Sequence, residues 1–266
     1  MNTIAKILRN DCCAGCGLCA SLSDAVTMSV SADGFLRPTA TGEIDADTDR
    51  LIADVCPGNT LTGPPEAPRI DALWGPIAQL RSGHATDADL RHKASSGGGL
   101  SAGLDHLIET GQVDRVLHVR ASAERPLEND NTISQNGEGI RKAAGSRYAP
   151  SAPLADLLSE LGKPGTFALV GKPCDIAAAR ALARHDPRVD EKIPVMLSFF
   201  CAGVPSLRGA RLLLDRLGVG EDEVVGFRYR GNGWPGRATA TLRDGREVGM
   251  SYEQSWGDVL SKHVQL

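Results

Sequence analysis

The chain has 266 residues, with 29 Lys and Arg against 33 Asp and Glu, so its formal net charge is −4 at pH 7. This weakly acidic balance argues against a nucleic-acid-binding protein, which needs a basic face to neutralise phosphates. Hydrophobic residues make up 41% of the chain, enough to bury a core and to exclude wholesale disorder. No apolar stretch approaches the roughly 20 residues that span a bilayer and no signal peptide is predicted, so we expect a cytoplasmic protein without a membrane span.

Residues 1–65 predict a small, loop-rich module. Two short runs, 26–30 and 35–39, flank a turn that contains glycine, which indicates a β-hairpin because glycine supplies the positive φ that such a turn needs. A helix is predicted over 47–55. The chain then becomes rich in proline and glycine, and we place a linker at 66–75.

Residues 76–266 have the alternation of strands and helices that is typical of an α/β domain. Several of the helical patterns end at a glycine, such as Gly111 and Gly162, as helices commonly do. The alternation predicts a mainly parallel or mixed sheet covered by helices on both faces. The predicted strands are 113–119, 166–170, 193–200, 224–230 and 238–242, and the predicted helices are 100–109, 153–161, 175–184 and 207–217.

The cysteines of the N-terminal module are the strongest chemical signal in the chain. Cys13, Cys16 and Cys19 follow one another at Cys-x2-Cys spacing on a loop with two glycines, and Cys56 is followed by proline. Three close thiolates with a distant Cys-Pro are a common way to hold a 4Fe-4S cluster. Four thiolates also suit a structural zinc ion, but zinc ribbons present two separate Cys-x2-Cys pairs, so the spacing favours the cluster. Cys12 is the alternative to Cys13 as a ligand, and we predict Cys13.

Three glycine-containing loops of the α/β part are candidate binding loops. Residues 95–99, Ser-Ser-Gly-Gly-Gly, precede a predicted helix and offer hydroxyls, free N–H groups and the positive end of a helix dipole to a phosphate. Alone this is a weak signal, since serine is an ordinary helix cap and the loop matches neither common nucleotide-binding motif. Residues 171–174 lie between a strand and a helix, where α/β sheets bind ligands. Residues 228–236 combine two Arg, one Tyr, one Trp and three Gly, which favours a binding loop.

Taken together, these stretches resemble the beta subunit family of the coenzyme F420 hydrogenases and dehydrogenases, which includes 7-hydroxymethyl chlorophyll a reductase. The matching segments stand in the order of the family and span nearly the whole chain. They are CAGCGLC at 13–19, DGFLRP at 33–38, CPG at 56–58, ASSGG at 94–98, GSRY at 145–148, GKPCDI at 171–176, FCAG at 200–203 and YRGNGWPG at 229–236.

The resemblance implies a flavoprotein that carries FAD and a 4Fe-4S cluster, with a ferredoxin-like module at 1–65 and an α/β flavin-binding domain at 76–266. A flavin converts two-electron hydride transfer into one-electron steps, and the protein positions and tunes it. Lys172 and Arg147 are expected to stabilise the negative charge of a reduced flavin or of an anionic substrate. The implied cluster ligands are Cys13, Cys16, Cys19 and Cys56, and the implied contacts of flavin and substrate are Ser95, Ser96, Gly97, Gly98, Gly99, Ser146, Arg147, Tyr148, Gly171, Lys172, Pro173, Asn232, Gly233 and Trp234.

The resemblance also implies an oxidoreductase whose partner is coenzyme F420, ferredoxin or another subunit. An electron-relay subunit without its own substrate, and a chain that has kept the fold but lost the flavin, are the alternatives. Family members continue past Leu266 with a second cysteine motif, so the α/β domain is expected to be C-terminally incomplete. The substrate, the catalytic acid or base and a homo-oligomeric state are left open by the residues.

Overall fold

The structure is a computed structural model that describes residues 2–61 and 68–265. The helices are α1 Thr3–Arg9, α2 Leu18–Leu22, α3 Ala46–Val55, α4 Ala88–Lys93, α5 Gly99–Glu109, α6 Gly137–Lys142, α7 Leu157–Gly162, α8 Pro173–Leu182, α9 Arg188–Lys192 and α10 Leu207–Leu217, with short turns of other helix types at Ser96–Gly98, Glu221–Glu223, Glu253–Gly257 and Leu260–Lys262. The strands are β1 Val26–Val30, β2 Leu36–Ala40, β3 Arg69–Asp71, β4 Gly75–Ile77, β5 Arg115–Ala121, β6 Asn129–Ser134, β7 Phe167–Val170, β8 Val195–Leu197, β9 Val204–Pro205, β10 Val224–Arg228, β11 Arg237–Leu242, β12 Glu247–Ser251 and β13 Val264–Gln265.

A four-stranded mixed sheet in the order β6-β5-β7-β8 forms the centre of the α/β part. Strands β5, β7 and β8 are parallel, and β6 runs antiparallel to β5. Successive residues of a strand point to opposite faces, so Val116 packs with α5 and α6 while Leu117 packs with α7 and α8. Helices therefore cover both faces, and the predicted mixed α/β sheet is confirmed.

A second sheet, β10-β11-β12, is antiparallel throughout and packs against α10. Helix α10 has the bounds that the sequence predicts, and its ends explain why. The hydroxyl of Ser206 accepts a hydrogen bond from the Gly209 amide at the start of the helix, and Gly218 adopts the left-handed conformation, with φ +70°, at its end.

The N-terminal segment, 2–61, packs directly on the α/β part. Strands β1 and β2 form the predicted hairpin, and the side chains of Leu18 and Val55 enter the same buried cluster as the residues of α7 and α8. The carbonyl of Cys16 accepts a hydrogen bond from the Leu154 amide at 3.0 Å. The hydroxyl of Ser21 accepts one from the Leu158 amide at 2.9 Å. The cysteine loop is thereby held on the side of the central sheet that α7 and α8 cover.

Several predicted elements differ in length from the observed ones. The strand predicted at 193–200 covers only Val195–Leu197, because the chain then turns outward and leaves Phe200 95% exposed. The helix predicted at 153–161 begins only at Leu157. Of the predicted linker, residues 66 and 67 lie outside the described part, while β3 pairs with β4 as a short hairpin. Strand β6, Asn-Asp-Asn-Thr-Ile-Ser, was not predicted, because its polar sequence lacks the apolar pattern of a strand.

Within residues 2–61 and 68–265, no helix combines the length and the apolar character that crossing a membrane requires.

A buried histidine in the central sheet gives a pH-dependent contribution to stability. The Nε2 atom of His118 lies 2.8 Å from the Ser134 hydroxyl. Burial, with a smaller contribution from Arg120, lowers the pKa of His118 from 6.5 to about 4. Because the unfolded chain binds a proton more readily than the folded chain, this stabilisation is complete above pH 6.5 and is lost as the pH falls through about 4.

We expect a loss of about 3 kcal/mol from this group between neutral pH and pH values below 4. Urea unfolding at a series of pH values measures it, and the His118→Gln variant is the comparison. An equal loss in both proteins over this range would contradict the assignment to His118.

Candidate functional site

The predicted cluster cysteines line one cavity. The side chains of Cys13, Cys16, Cys19 and Cys56 face it together with apolar side chains from α1, α2 and α3. Cys12 is exposed and is not among the lining residues, and its sulfur lies 3.2 Å from the Asn10 carbonyl. Of the two adjacent cysteines, the structure therefore directs Cys13 towards the other three thiols.

Backbone amides surround these sulfur atoms. Against the larger effect of burial, the N–H groups of Gly15 and Leu18 lower the pKa of Cys13 and Cys16, and those of Ala20 and Gly58 lower the pKa of Cys19 and Cys56. Hydrogen bonds from the protein to ligand sulfurs are among the features that tune the reduction potentials of iron–sulfur sites. The loop achieves this arrangement through glycines 15 and 17, which have φ of +71° and +86°.

Burial disfavours free thiolates at this cavity. It raises the pKa of Cys13 and of Cys56, raises that of Cys16 well above its usual value, and raises that of Cys19 to about 12. A bound metal centre reverses this balance, because its positive charge deprotonates coordinating thiols. Across the described residues, no group of three or more His, Cys, Asp or Glu side chains is arranged to hold a single metal ion. The number and chemistry of the four thiols fit the ligand set of a 4Fe-4S cluster.

A second, open pocket brings together two of the predicted binding loops. Its lining includes residues 95–97 of the glycine-rich loop together with Gly233 and Trp234 of the 228–236 loop. Three charged or titratable residues that the sequence analysis did not select also line it, namely Arg91, His92 and Arg230. Arg230 is part of a loop that the sequence singled out, whereas Arg91 and His92 lie on α4, one turn before the glycine-rich loop.

Hydrogen bonds between distant segments shape this pocket. The Ser146 amide donates to the Ser95 hydroxyl at 3.1 Å. The Gly233 amide donates to the His92 carbonyl at 2.9 Å. Ser96, Gly97 and Gly98 all adopt the left-handed conformation, with φ from +52° to +71°, so the chain turns sharply before α5 begins at Gly99. Asn232 has φ +54° beside the pocket-lining Gly233.

The remaining predicted contacts lie elsewhere. Gly98, Gly99 and Asn232 are neighbours of the pocket in sequence but do not line it. The ring centroids of Tyr148 and Trp256 are 4.8 Å apart, and both partly buried side chains pack against the core of the second sheet. The 171–173 segment follows β7 and begins α8, close to the cysteine cavity and outside the lining of the open pocket.

Arg147 acts as a structural clamp in the described chain. Its guanidinium donates to the Asn129 side chain at 2.8 Å and to the carbonyl oxygens of Phe227, Pro126 and Glu128 at 2.6, 2.9 and 2.8 Å. These bonds join β6, β10 and the segment before β6. The donors are thus directed at the protein itself, and the charge-stabilising role that we expected for this side chain stays a prediction.

We expect Arg147→Met to lower the free energy of unfolding by about 3 kcal/mol, because it leaves three partly buried carbonyl oxygens without this donor. Urea unfolding measures this loss, and flavin content per folded chain is the second readout. Arg120→Met, which changes an exposed arginine of β5, is the control and should lie within about 0.5 kcal/mol of wild type. Loss of flavin at unchanged stability would contradict the structural role.

The fold is similar to a chain in a solved structure titled "Xenon derivatization of the F420-reducing [NiFe] hydrogenase complex from Methanosarcina barkeri". The TM-score is 0.52 and the identity is 20%, over 68% of this chain and 61% of that chain. This likeness defines the chain as a protein of the same mixed α/β fold class.

The sequence identifies the family to which the chain belongs. Residues 81–159 match the N-terminal part, and residues 165–263 the C-terminal part, of the family described as "Coenzyme F420 hydrogenase/dehydrogenase, beta subunit". The chain belongs to the coenzyme F420 hydrogenase/dehydrogenase beta subunit family.

Curated relatives carry names in keeping with this family. The chain is 23% identical over 199 residues to the F subunit of the F(420)H(2) dehydrogenase of Methanosarcina mazei, which covers 74% of this chain and 55% of that protein. It is 29% identical over 153 residues to the beta subunit of the coenzyme F420 hydrogenase of Methanococcus voltae, covering 54% and 52%. It is 28% identical over 151 residues to a coenzyme F420-dependent sulfite reductase of Methanocaldococcus jannaschii, covering 51% and 24%. The chain thus spans about half, or less, of the length of these relatives.

Proposed function

We propose that this chain is an FAD- and 4Fe-4S-dependent oxidoreductase component that passes electrons between coenzyme F420 or ferredoxin and a second acceptor. The observation that carries the proposal is the convergence of four cysteine thiols on one cavity in a chain of this family. Its relatives are named as F420-dependent dehydrogenase, hydrogenase and sulfite reductase proteins.

In this proposal Cys13, Cys16, Cys19 and Cys56 hold the cluster. Apolar side chains of α1 and α3, such as Ile4, line the cavity and exclude water from the metal centre. The amides around the cysteine sulfurs stabilise negative charge on them.

The open pocket is proposed to hold the flavin. Arg91 and Arg230 provide positive charge, and the hydroxyls of Ser95 and Ser96 provide hydrogen bonds, which together suit the diphosphate of FAD. In the left-handed turn at 96–98, Gly97 and Gly98 carry no side chain and adopt their positive φ without the strain that other residues incur. When bound, the flavin and the cluster would supply the exchange between two-electron and one-electron transfer.

The names of two relatives support a partner subunit. Each is named as one subunit of a larger enzyme, a dehydrogenase in one case and a hydrogenase in the other, and the similar solved chain comes from a hydrogenase complex. We therefore propose that the chain works within a larger assembly, in which the second electron acceptor is another protein. The proposed setting is cytoplasmic.

The test is the visible absorption spectrum of anaerobically purified protein, with flavin, iron, sulfide and zinc quantified on the same sample. We expect one FAD and about four irons and four sulfides per chain. Stoichiometric zinc without iron would overturn the cluster, and a chain that binds neither FAD nor iron would overturn the redox function.

A second measurement separates an enzyme from a relay protein. Reduced coenzyme F420 is added to the isolated, loaded chain, and the flavin absorbance is followed. Bleaching without any partner supports an enzyme with its own substrate. A flavin that is reduced only after a partner protein is supplied supports the relay function instead.

A further inference from the structure

A buried ion pair lies at the start of α8. The Nζ atom of Lys172 is 2.9 Å from Oδ2 of Asp175, and the two side chains are only 8% and 1% exposed. The same carboxylate oxygen accepts a hydrogen bond from the Lys172 backbone amide at 2.7 Å. Asp175 therefore caps the first turn of α8 while it neutralises the ammonium.

This pair stands beside the cysteine cavity. Burial raises the pKa of the Cys13 and Cys16 thiols; the Lys172 ammonium opposes this rise in pKa at Cys13, and the Asp175 carboxylate adds to it at Cys16. The side chain of Cys16 packs against the buried cluster that contains the α8 residues Ala178 and Ala179. The ion pair therefore lies at the start of the helix that contributes to this buried cluster, on which Cys16, one of the proposed cluster ligands, also packs.

Helix capping accounts for the carboxylate but not for the choice of a buried ammonium. A buried ion pair gains little stability over well-packed apolar residues, because both ions lose their hydration. A second buried pair within the described residues, Arg115 and Glu160, is also tied into the backbone, since Arg115 donates to the carbonyls of Pro164 and Glu160 at 2.7 and 3.1 Å. Arg115 begins β5, whereas Lys172 follows the end of the parallel neighbouring strand β7, so the two pairs lie at opposite ends of these strands.

We propose that Lys172 and Asp175 set the reduction potential of the centre held by the four cysteines, with Lys172 raising the potential and Asp175 lowering it. This inference rests on the proposed function, because it requires a redox centre at the cavity. Reduction adds one negative charge to the centre. A nearby ammonium stabilises that charge and a nearby carboxylate opposes it, and both effects are strong in a buried, water-poor environment.

The test is a redox titration of the loaded chain, followed by electron paramagnetic resonance. Lys172→Met should disfavour reduction of the cluster about tenfold, a fall of about 59 mV for a one-electron couple. Asp175→Asn should shift the potential in the opposite direction, and Asn can still cap the helix. Lys172→Arg, which keeps the charge, should stay near the wild-type potential.

The control is Arg115→Met, which breaks the other buried ion pair. We expect it to lower the urea midpoint of unfolding and to leave the cluster potential unchanged. If Lys172→Met does not fold, Asp175→Asn reports the effect of the carboxylate, and its difference from the double neutral variant reports the effect of the ammonium. Shifts of the two charge-removing variants in the same direction, or no larger than that of Arg115→Met, would overturn the inference while leaving the proposed function intact. Wild-type protein without iron and sulfide would overturn both.

Discussion

Replacing Cys16 by serine is expected to lower the iron content of the purified chain from about four atoms to fewer than one, with the same loss of sulfide. The thiol of Cys16 lines the cavity and its carbonyl is bonded to the Leu154 amide, so the loop cannot easily offer another ligand. A serine hydroxyl is a poor replacement, because these clusters are held by thiolates. Iron and sulfide assays with the visible spectrum measure the result.

Cys12→Ser is the matched control. Cys12 belongs to the same loop, but its side chain is exposed and is not part of the cavity. The variant should keep its full iron and sulfide. Loss of iron in Cys12→Ser together with retention in Cys13→Ser would show that the assignment of these two neighbours is reversed. Retention of iron in Cys16→Ser would contradict the proposed ligand set.

Gly17→Ala is expected to lower the free energy of unfolding by about 2–5 kcal/mol and to reduce cluster content. Gly17 has φ +86°, and a Cβ atom there would lie 2.9 Å from the Ala155 amide nitrogen and 2.9 Å from the Cβ of Ala152. The left-handed conformation costs an alanine about 1–2 kcal/mol, and overpacking adds about 1–3 kcal/mol. Since Gly17 directly follows Cys16, the strain also displaces a proposed ligand. Anaerobic urea unfolding and iron analysis measure the two effects.

Gly111→Ala separates backbone strain from the close approach. Gly111 has φ +67°, and a Cβ atom there would meet no atom within 4 Å. This variant should lose about 1–2 kcal/mol and keep its iron. A loss in Gly17→Ala no greater than that in Gly111→Ala would contradict the claim that the cysteine loop must pack closely on the α/β part.

The parts of the fold with strong local signals were predictable from the sequence. Helix α10 has an N-terminal serine cap, apolar residues at helical spacing and a C-terminal glycine, and its observed bounds agree with the prediction. The hairpin of β1 and β2 was predicted from two short runs around a glycine turn. Strand β6 was missed because it is polar, and only its pairing with the buried strand β5 makes it a strand.

The candidate cysteine site was predicted from spacing alone, and the structure brings those four side chains to one cavity. The open pocket was predicted only in part. Its glycines were recognisable because few other residues adopt positive φ, but Arg91 and His92 carry no local pattern that distinguishes them from solvated helix residues. The clamp formed by Arg147 was not predicted, since its partners are carbonyl oxygens of distant segments.

The sequence by itself therefore determined the family and the mixed α/β class and singled out the four candidate cysteines, because each depends on residue types at short, regular spacing. Only the tertiary structure decided that Cys13 rather than Cys12 faces the cavity, and that Lys172 pairs with Asp175 beside Cys16. Those outcomes depend on which surfaces are buried against one another. Burial removes water from charges and thiols and thereby sets their interactions, and segments far apart in the chain must meet before that happens.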